Sequence, residues 1–179
     1  MKKKLFLLLI PLLFITACGK ANIKEEANSS KITLLDKKKG IETTFTYDKK
    51  LDFSEIYTHQ DQESPSIEFD NINLDIDFEM IYKEVNTDSY LEAQKNRKNK
   101  KYYKEYTFGN YTAYIYGDYD DNIIININVK KNKDTSIILV ITMNRLDSDE
   151  NTILAEVLED RDLQEFFKTI KVENVESEE

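Results

Sequence analysis

Few side chains in this chain of 179 residues can do chemistry by type alone. There is one cysteine, Cys18, and one histidine, His59. Neither a histidine-activated nucleophile nor a multi-histidine metal site can be assembled from so little. His59 stands in the polar run Tyr57-Thr58-His59-Gln60-Asp61, which reads as a loop where an imidazole titrates near neutrality without further consequence. Carboxylates are plentiful enough for an acid and base pair, yet Asp75, Asp77 and Glu79 alternate with apolar residues and read as the wet face of a strand. Asp118, Asp120 and Asn122 have the first spacings of a calcium loop, as do Asp147, Asp149 and Asn151. The sixth and twelfth positions, where calcium geometry requires Gly and Glu, are Ile123 and Val129 in the first and Thr152 and Leu158 in the second. A weak cation loop and ordinary turn chemistry both fit these runs, and no metal is assigned. No glycine-rich phosphate cradle and no Gly-x-Ser-x-Gly elbow occurs. No cofactor, no catalytic residue and no enzymatic activity is inferred.

The remaining cluster is aromatic. Seven of the eleven tyrosines lie between Tyr102 and Tyr119. Within that stretch Gly109-Asn110 separates two alternating runs, the pattern of a two-residue hairpin whose glycine supplies a positive φ. The resulting register sets Phe108 opposite Tyr111, Tyr106 opposite Ala113 and Lys104 opposite Ile115 on a core side. Tyr103, Tyr114 and Tyr116 then gather on a more polar side, with Tyr103 opposite Tyr116. A phenol has an apolar body and a polar tip, so these three are the candidate binding surface, expected to be substantially exposed. Cross-strand tyrosines that merely hold a hairpin together are the alternative.

The leader explains the cysteine. Lys2, Lys3 and Lys4 precede an apolar run from Leu5 to Phe14, and small residues follow. That is the order of an export signal, and the run is too short for a membrane-spanning helix of about 20 residues. Ile15-Thr16-Ala17-Cys18 resembles the lipobox of bacterial lipoproteins. The resemblance implies that residues 1–17 are a signal peptide removed before Cys18, and that the Cys18 thiol carries diacylglycerol. It thereby places the protein outside the cytoplasm, lipid-anchored to the cell membrane. Two acyl chains give a durable anchor where one gives only a marginal one.

Loss of the three leader lysines takes 25 basic residues to 22 against 34 acidic ones, moving the formal charge from −9 to −12. Such a domain is repelled by anionic lipid within a Debye length of about 8 Å. It also lacks the basic footprint that nucleic acid requires, so no nucleic-acid partner is expected. The mature chain has no second cysteine for a disulfide, so its fold must stand on packing.

Residues 18–31 read as the lipidated N-terminus and a flexible tether, residues 32–175 as one domain and residues 176–179 as a disordered tail. The domain reads as α+β, mostly antiparallel β-sheet with helices covering it. Ile41, Phe45 and Tyr47 alternate with polar residues, as do Leu74, Ile76, Phe78 and Met80. Ile67 and Phe69 have the opposite phase, so a turn or bulge near Asp70-Asn71 must reset the register. Ser89 and Glu92 form a capping box, predicting a helix to about Asn99 with Tyr90, Leu91 and Gln94 inward. The cations at its end, Lys95 to Lys101, complement the helix dipole or meet an anionic polymer. Ile123 to Val129 and Ser136 to Met143 read as strands, the second covered on both faces as a central strand is. Ile153 to Ile170 repeats at helical spacing, and Lys171 to Val175 is expected to close the sheet.

This order of elements, from Ser66 to Val175, resembles the PsbP-like α/β/α sandwich. The resemblance implies a module that binds or assists other proteins without catalysing a reaction, and transfers no site residue. The expectation is therefore a lipid-anchored binding or accessory lipoprotein of the bacterial envelope, whose partner is another envelope protein or a cell-wall component. An envelope enzyme using acidic residues and an immunity or inhibitor lipoprotein are the alternatives.

Overall fold

The computed structural model describes residues 29–59, 64–98, 101–117, 122–146 and 153–177. Cys18, the tail residues 178–179, Asp118 and Asp120, and the Asp147, Asp149 and Asn151 triplet lie outside them.

Among the described residues ten strands form two antiparallel sheets. Strands β1 (Ser29–Asp36), β2 (Ile41–Asp48) and β10 (Lys171–Asn174) make a small sheet in the order β1-β2-β10. Strands β3 (Phe53–His59), β4 (Ser66–Asn71), β5 (Ile76–Asn86), β6 (Tyr102–Phe108), β7 (Tyr111–Gly117), β8 (Asn122–Lys131) and β9 (Thr135–Arg145) make the large one, in the order β3-β4-β5-β9-β8-β7-β6. Helix α1 (Thr87–Arg97) covers one face of the large sheet. The small sheet and helices α2 (Leu154–Val157) and α3 (Arg161–Lys168) share the main core on the other face. The domain is α+β and mostly antiparallel, as expected.

Local chemistry accounts for the joints. Between β4 and β5, Asn71 Oδ1 accepts from the Leu74 amide at 3.0 Å, and Asp75 turns left-handed at φ 57°. That single turn of 3-10 helix converts the odd phase of Ile67 and Phe69 into the even phase of Ile76, Phe78 and Met80. Gly109 adopts φ 57° and the hairpin register is the expected one, from Phe108 opposite Tyr111 to Tyr103 opposite Tyr116. The β1–β2 turn buries Asp36, whose carboxylate accepts from the Lys39 amide at 3.0 Å and ammonium at 2.6 Å. A buried charge is tolerable only when paired in this way.

The main core is aromatic. Phe69 stacks on Phe78 at 4.8 Å, Phe53 meets Phe166 edge-on at 4.9 Å, and Phe45 lies 5.0 Å from Phe166. Asp160 caps α3 by accepting from the amides of Asp162 and Leu163, both at 2.9 Å, and so aims Leu163, Phe166 and Phe167 inward. β9 is the central strand: Leu139, Ile141 and Met143 enter the main core, while Ile138 and Val140 face α1.

Five expectations are corrected. The cap of α1 is Asn86, whose Oδ1 accepts from the Ser89 amide at 3.0 Å, so the helix starts before the Ser89 box. Leu91 points outward at 37% exposure, whereas Tyr90 and Gln94 are buried. β1 takes in Ser29, Ser30 and Lys31, which had been grouped with the tether. β10 pairs with β2, so the C-terminal strand completes the small sheet and leaves the large one alone. His59 ends β3 rather than sitting in a loop, with Nε2 3.6 Å from Glu68.

Candidate functional site

The face of the large sheet under α1 is divided into two chemically different halves. β6 to β9 contribute tyrosines, asparagines and threonines that α1 roofs. β3 to β5 contribute carboxylates beside that roof.

The roof is fastened at its start. Thr87 Oγ1 lies 2.9 Å from Ser136 Oγ, and the Thr87 amide donates to the Asp134 carbonyl at 3.1 Å. Below it Tyr90, Ile138 and Val140 are buried, with Ile81, Val85, Tyr114 and Ile124 packed around them. The Tyr90 and Tyr114 rings meet edge-on at 6.3 Å. Two turns on, the Arg97 guanidinium stacks 4.0 Å above the Tyr116 ring and donates to Gln94 Oε1 at 3.3 Å. Asn126 Nδ2 donates to the Tyr116 hydroxyl at 3.1 Å. The Tyr103 hydroxyl donates to Glu105 at 2.7 Å, and Lys98 sits 3.2 Å from that carboxylate.

Tyr103, Tyr114 and Tyr116 are therefore brought together on one face, as the register required. They are half-buried beneath α1 and already engaged, not substantially exposed. Two of the helix-end cations, Arg97 and Lys98, are spent on this cluster. Burial pushes the hydroxyls of Tyr103 and Tyr116 above the ordinary tyrosine value; the Glu105 hydrogen bond adds to the first, and Arg97 opposes the second. Burial does the same to Tyr90.

Three polar atoms on this face have no hydrogen-bond partner among the described residues: Tyr90 Oη, Gln94 Nε2 and Asn128 Oδ1. A buried donor or acceptor left unpaired costs roughly 1–3 kcal/mol, so three within one helix–sheet contact are not casual. Tyr90 and Asn128 line a cleft of about 270 Å³ at the β7–β8 end of the helix. Tyr90 and Gln94 face inward as the helical spacing predicts, but nothing in the sequence marks their polar atoms as unpartnered. Asn128 was visible only as one of the polar residues alternating with Ile127 and Val129.

On the acidic half, Asp70 stands directly opposite Asp77 and Glu68 directly opposite Glu79. Glu55 joins them from a left-handed position in the β3 irregularity, around an open cavity of about 330 Å³. Directly opposed like charges destabilise a sheet. Desolvation first, then Glu55, Asp77 and Glu68, raises the Asp70 carboxyl above its usual value. Asn144 Nδ2 donates to Asp77 at 3.2 Å. Among the described residues no three His, Cys, Asp or Glu side chains are placed to hold a metal ion.

The opposite face of the hairpin has its own cluster. The Lys104 ammonium and the Tyr106 hydroxyl both donate to Glu159 Oε1. These bonds lower the Glu159 carboxyl and raise Lys104, and burial together with the Glu159 bond pushes the Tyr106 hydroxyl up to about 12.

No helix among the described residues is long and apolar enough to cross a membrane. No protein-family model, curated protein or solved structure shows a significant match to the chain.

Proposed function

We propose that the protein is a lipid-anchored, extracytoplasmic binding or accessory lipoprotein of the bacterial envelope, attached through Cys18. The observation that carries this reading is the order of basic, apolar and small residues ending in Ile15-Thr16-Ala17-Cys18. The mostly antiparallel sheet with helices on both faces supports only the binding-module part of this reading, at the level of an α+β class. Detergent phase partition of the chain expressed in a bacterial host tests the anchor. The wild type should enter the detergent phase with a diacylated N-terminal Cys18 peptide by mass spectrometry. Cys18→Ala should retain the leader and lose the lipid mass; an unmodified, uncleaved wild type refutes the anchor.

A second reading has one observation behind it. The facing Asp70 and Asp77 carboxylates border a cavity, and Asp70 holds its proton more tightly than usual. That is a property of acid and base catalysts. Release of soluble fragments from purified cell wall, abolished in Asp70→Asn and Asp77→Asn, is the result that reading requires.

A further inference from the structure

We propose that the open corner of the large sheet, where β3 flanks the acidic cavity, is the docking surface for a basic, partly apolar segment of another protein. The inference rests on reading the domain as a binding module and names the kind of partner that module takes.

Three observations converge on this corner. The first is the sheet edge. β3 ends the large sheet, and no strand pairs with its outer side among the described residues. The other sheet edges are engaged or short: the Leu34 carbonyl of β1 accepts from the Tyr82 hydroxyl at 3.0 Å, Lys104 and Tyr106 tie β6 to Glu159, and β10 has four residues. The second is apolar exposure. Of the five large hydrophobic side chains exposed among the described residues, four lie here. Ile56 and Tyr57 are on β3, at 41% and 56% exposure, and Ile72 is in the β4–β5 turn. Leu146 joins them because its amide donates to the Asp75 carbonyl beside that turn, at 3.1 Å. Exposed apolar side chains scattered singly are ordinary, whereas a group of them at one corner marks a contact surface. The third is charge. Glu55, Glu68, Asp70, Asp77 and Glu79 line the cavity of about 330 Å³ together with Tyr57, and its lining contains no Lys or Arg. A cation placed among these carboxylates relieves a repulsion that the free domain has to carry.

Charge and backbone geometry choose the occupant. Anionic lipid, nucleic acid and a second copy of this chain, at formal charge −9, all meet repulsion from the carboxylates. The β3 irregularity also breaks the straight ladder that a second β3 would need, since Glu55 and Ile56 stand between the Ser54–Asp70 and Tyr57–Glu68 pairs. A protein segment that carries Lys or Arg beside apolar side chains meets both requirements. Its cations reach the carboxylates while its apolar groups cover Ile56 and Tyr57.

The test uses the full chain in dodecylmaltoside micelles, titrated with three capped heptapeptides and followed by amide chemical shifts. The peptides alternate lysine with valine, lysine with serine, and glutamate with valine. The lysine–valine peptide should shift amides of β3, β4, β5 and the β4–β5 turn. Serine in place of valine should lower the affinity by about threefold or more, and the glutamate peptide should not bind. Asp70→Asn should weaken the lysine–valine complex about two- to fivefold, the effect of one exposed ion pair, and Tyr57→Ser about three- to tenfold. Asp70→Asn relieves repulsion in the free domain, so weaker binding by that variant is not lost fold. Glu173→Gln removes the same charge from β10 on the small sheet and should leave binding unchanged. No binding of the lysine–valine peptide, equal binding of the lysine–serine peptide, or an equal loss in Glu173→Gln overturns the inference. So does self-association of the free chain that Tyr57→Ser abolishes, which would give the corner to a second copy. Lysine–valine shifts confined to another face overturn this site and leave the binding-module reading standing, and the Cys18 partition assay is read separately from both.

Discussion

Deleting one oxygen should make this protein more stable. Tyr90 is buried in the contact between α1 and the sheet, its ring packs on Tyr114 and beside Ile138 and Val140, and its hydroxyl has no partner. Tyr90→Phe keeps the ring and removes the unpaired group. Leaving a buried hydroxyl unpaired costs roughly 1–3 kcal/mol; some of that is recovered by local relaxation, so the expected gain is about 1 kcal/mol. For a domain of this size it corresponds to a rise in Tm of about 2–4 °C. Tyr116→Phe supplies the contrast. Its hydroxyl accepts from Asn126 at 3.1 Å, so removal strands the amide of a buried residue and should cost about 0.5–1.5 kcal/mol. Urea unfolding of the three proteins at pH 7, followed by circular dichroism, should thus give midpoints in the order Tyr90→Phe, wild type, Tyr116→Phe with one shared slope. A pH series adds a second signature. Burial raises the Tyr90 hydroxyl, so the folded state holds that proton after the unfolded state has released it. Stability associated with Tyr90 is therefore lost as pH climbs past the unfolded tyrosine value of about 10, and the advantage of Tyr90→Phe widens there. A loss of stability in Tyr90→Phe, or a gain that shrinks above pH 10, refutes the reasoning.

Three further outcomes follow from other sites. Asp70→Asn should stabilise the domain by up to about 1 kcal/mol at pH 7 by relieving the directly opposed Asp77 and neighbouring Glu68. Because the folded carboxyl is raised, its penalty sets in as pH climbs from the unfolded value through the folded one, so the gain should vanish when urea midpoints are compared near pH 3. Glu159→Gln should cost less than about 1 kcal/mol at pH 7, since the carboxylate is 48% exposed. That stabilisation belongs to a lowered carboxyl, present above the unfolded value and lost as pH falls through the folded one, so variant and wild type should converge in acid. Gly117→Ala should cost more than Glu159→Gln, about 1–3 kcal/mol by thermal unfolding, because the new methyl would sit 2.0 Å from the Asn122 carbonyl oxygen.

What could be read from residue order is the part governed by short-range rules. Alternation plus Gly109-Asn110 specified a hairpin register that the structure reproduces pair by pair. The phase change between Phe69 and Ile76 demanded a turn, and Asn71 with Asp75 makes it. The unbroken apolar run of β9 required cover on both faces, and α1 and the main core provide it. Errors begin where tertiary contacts arbitrate between local options. Asn86 and Ser89 are both good caps; the bonds from Thr87 to Ser136 and Asp134 pull the helix start one turn earlier and favour Asn86. Ser29 to Lys31 carry no apolar stripe, yet they extend β1 along the partner residues Asp48, Tyr47 and Thr46 of a strand that is well specified.

The candidate site was legible by half for a related reason. Period-two patterning assigns Tyr103, Tyr114 and Tyr116 to one face without stating what lies over it. Their exposure depends on α1, whose residues lie between the two strands β5 and β6, which sit three strands apart in the large sheet. The helix must cross the sheet to connect them, and it lands where Ile138, Val140, Tyr114, Ile124 and, on β5 itself, Ile81 and Val85 form an apolar patch. Glu68, Asp70, Asp77 and Glu79, further along β4 and β5, offer it nothing apolar and line an open cavity. One crossover thus creates both features the sequence left unmarked: a roofed neutral cleft with orphan hydrogen-bonding atoms and an unroofed acidic face. The crossover leaves Tyr90 Oη, Gln94 Nε2 and Asn128 Oδ1 without a partner among the described residues, while Thr87 is bonded to Ser136 at the helix start and Arg97 to Gln94 Oε1 and the Tyr116 ring at its end, so the helix is fastened more firmly at its two ends than over Tyr90.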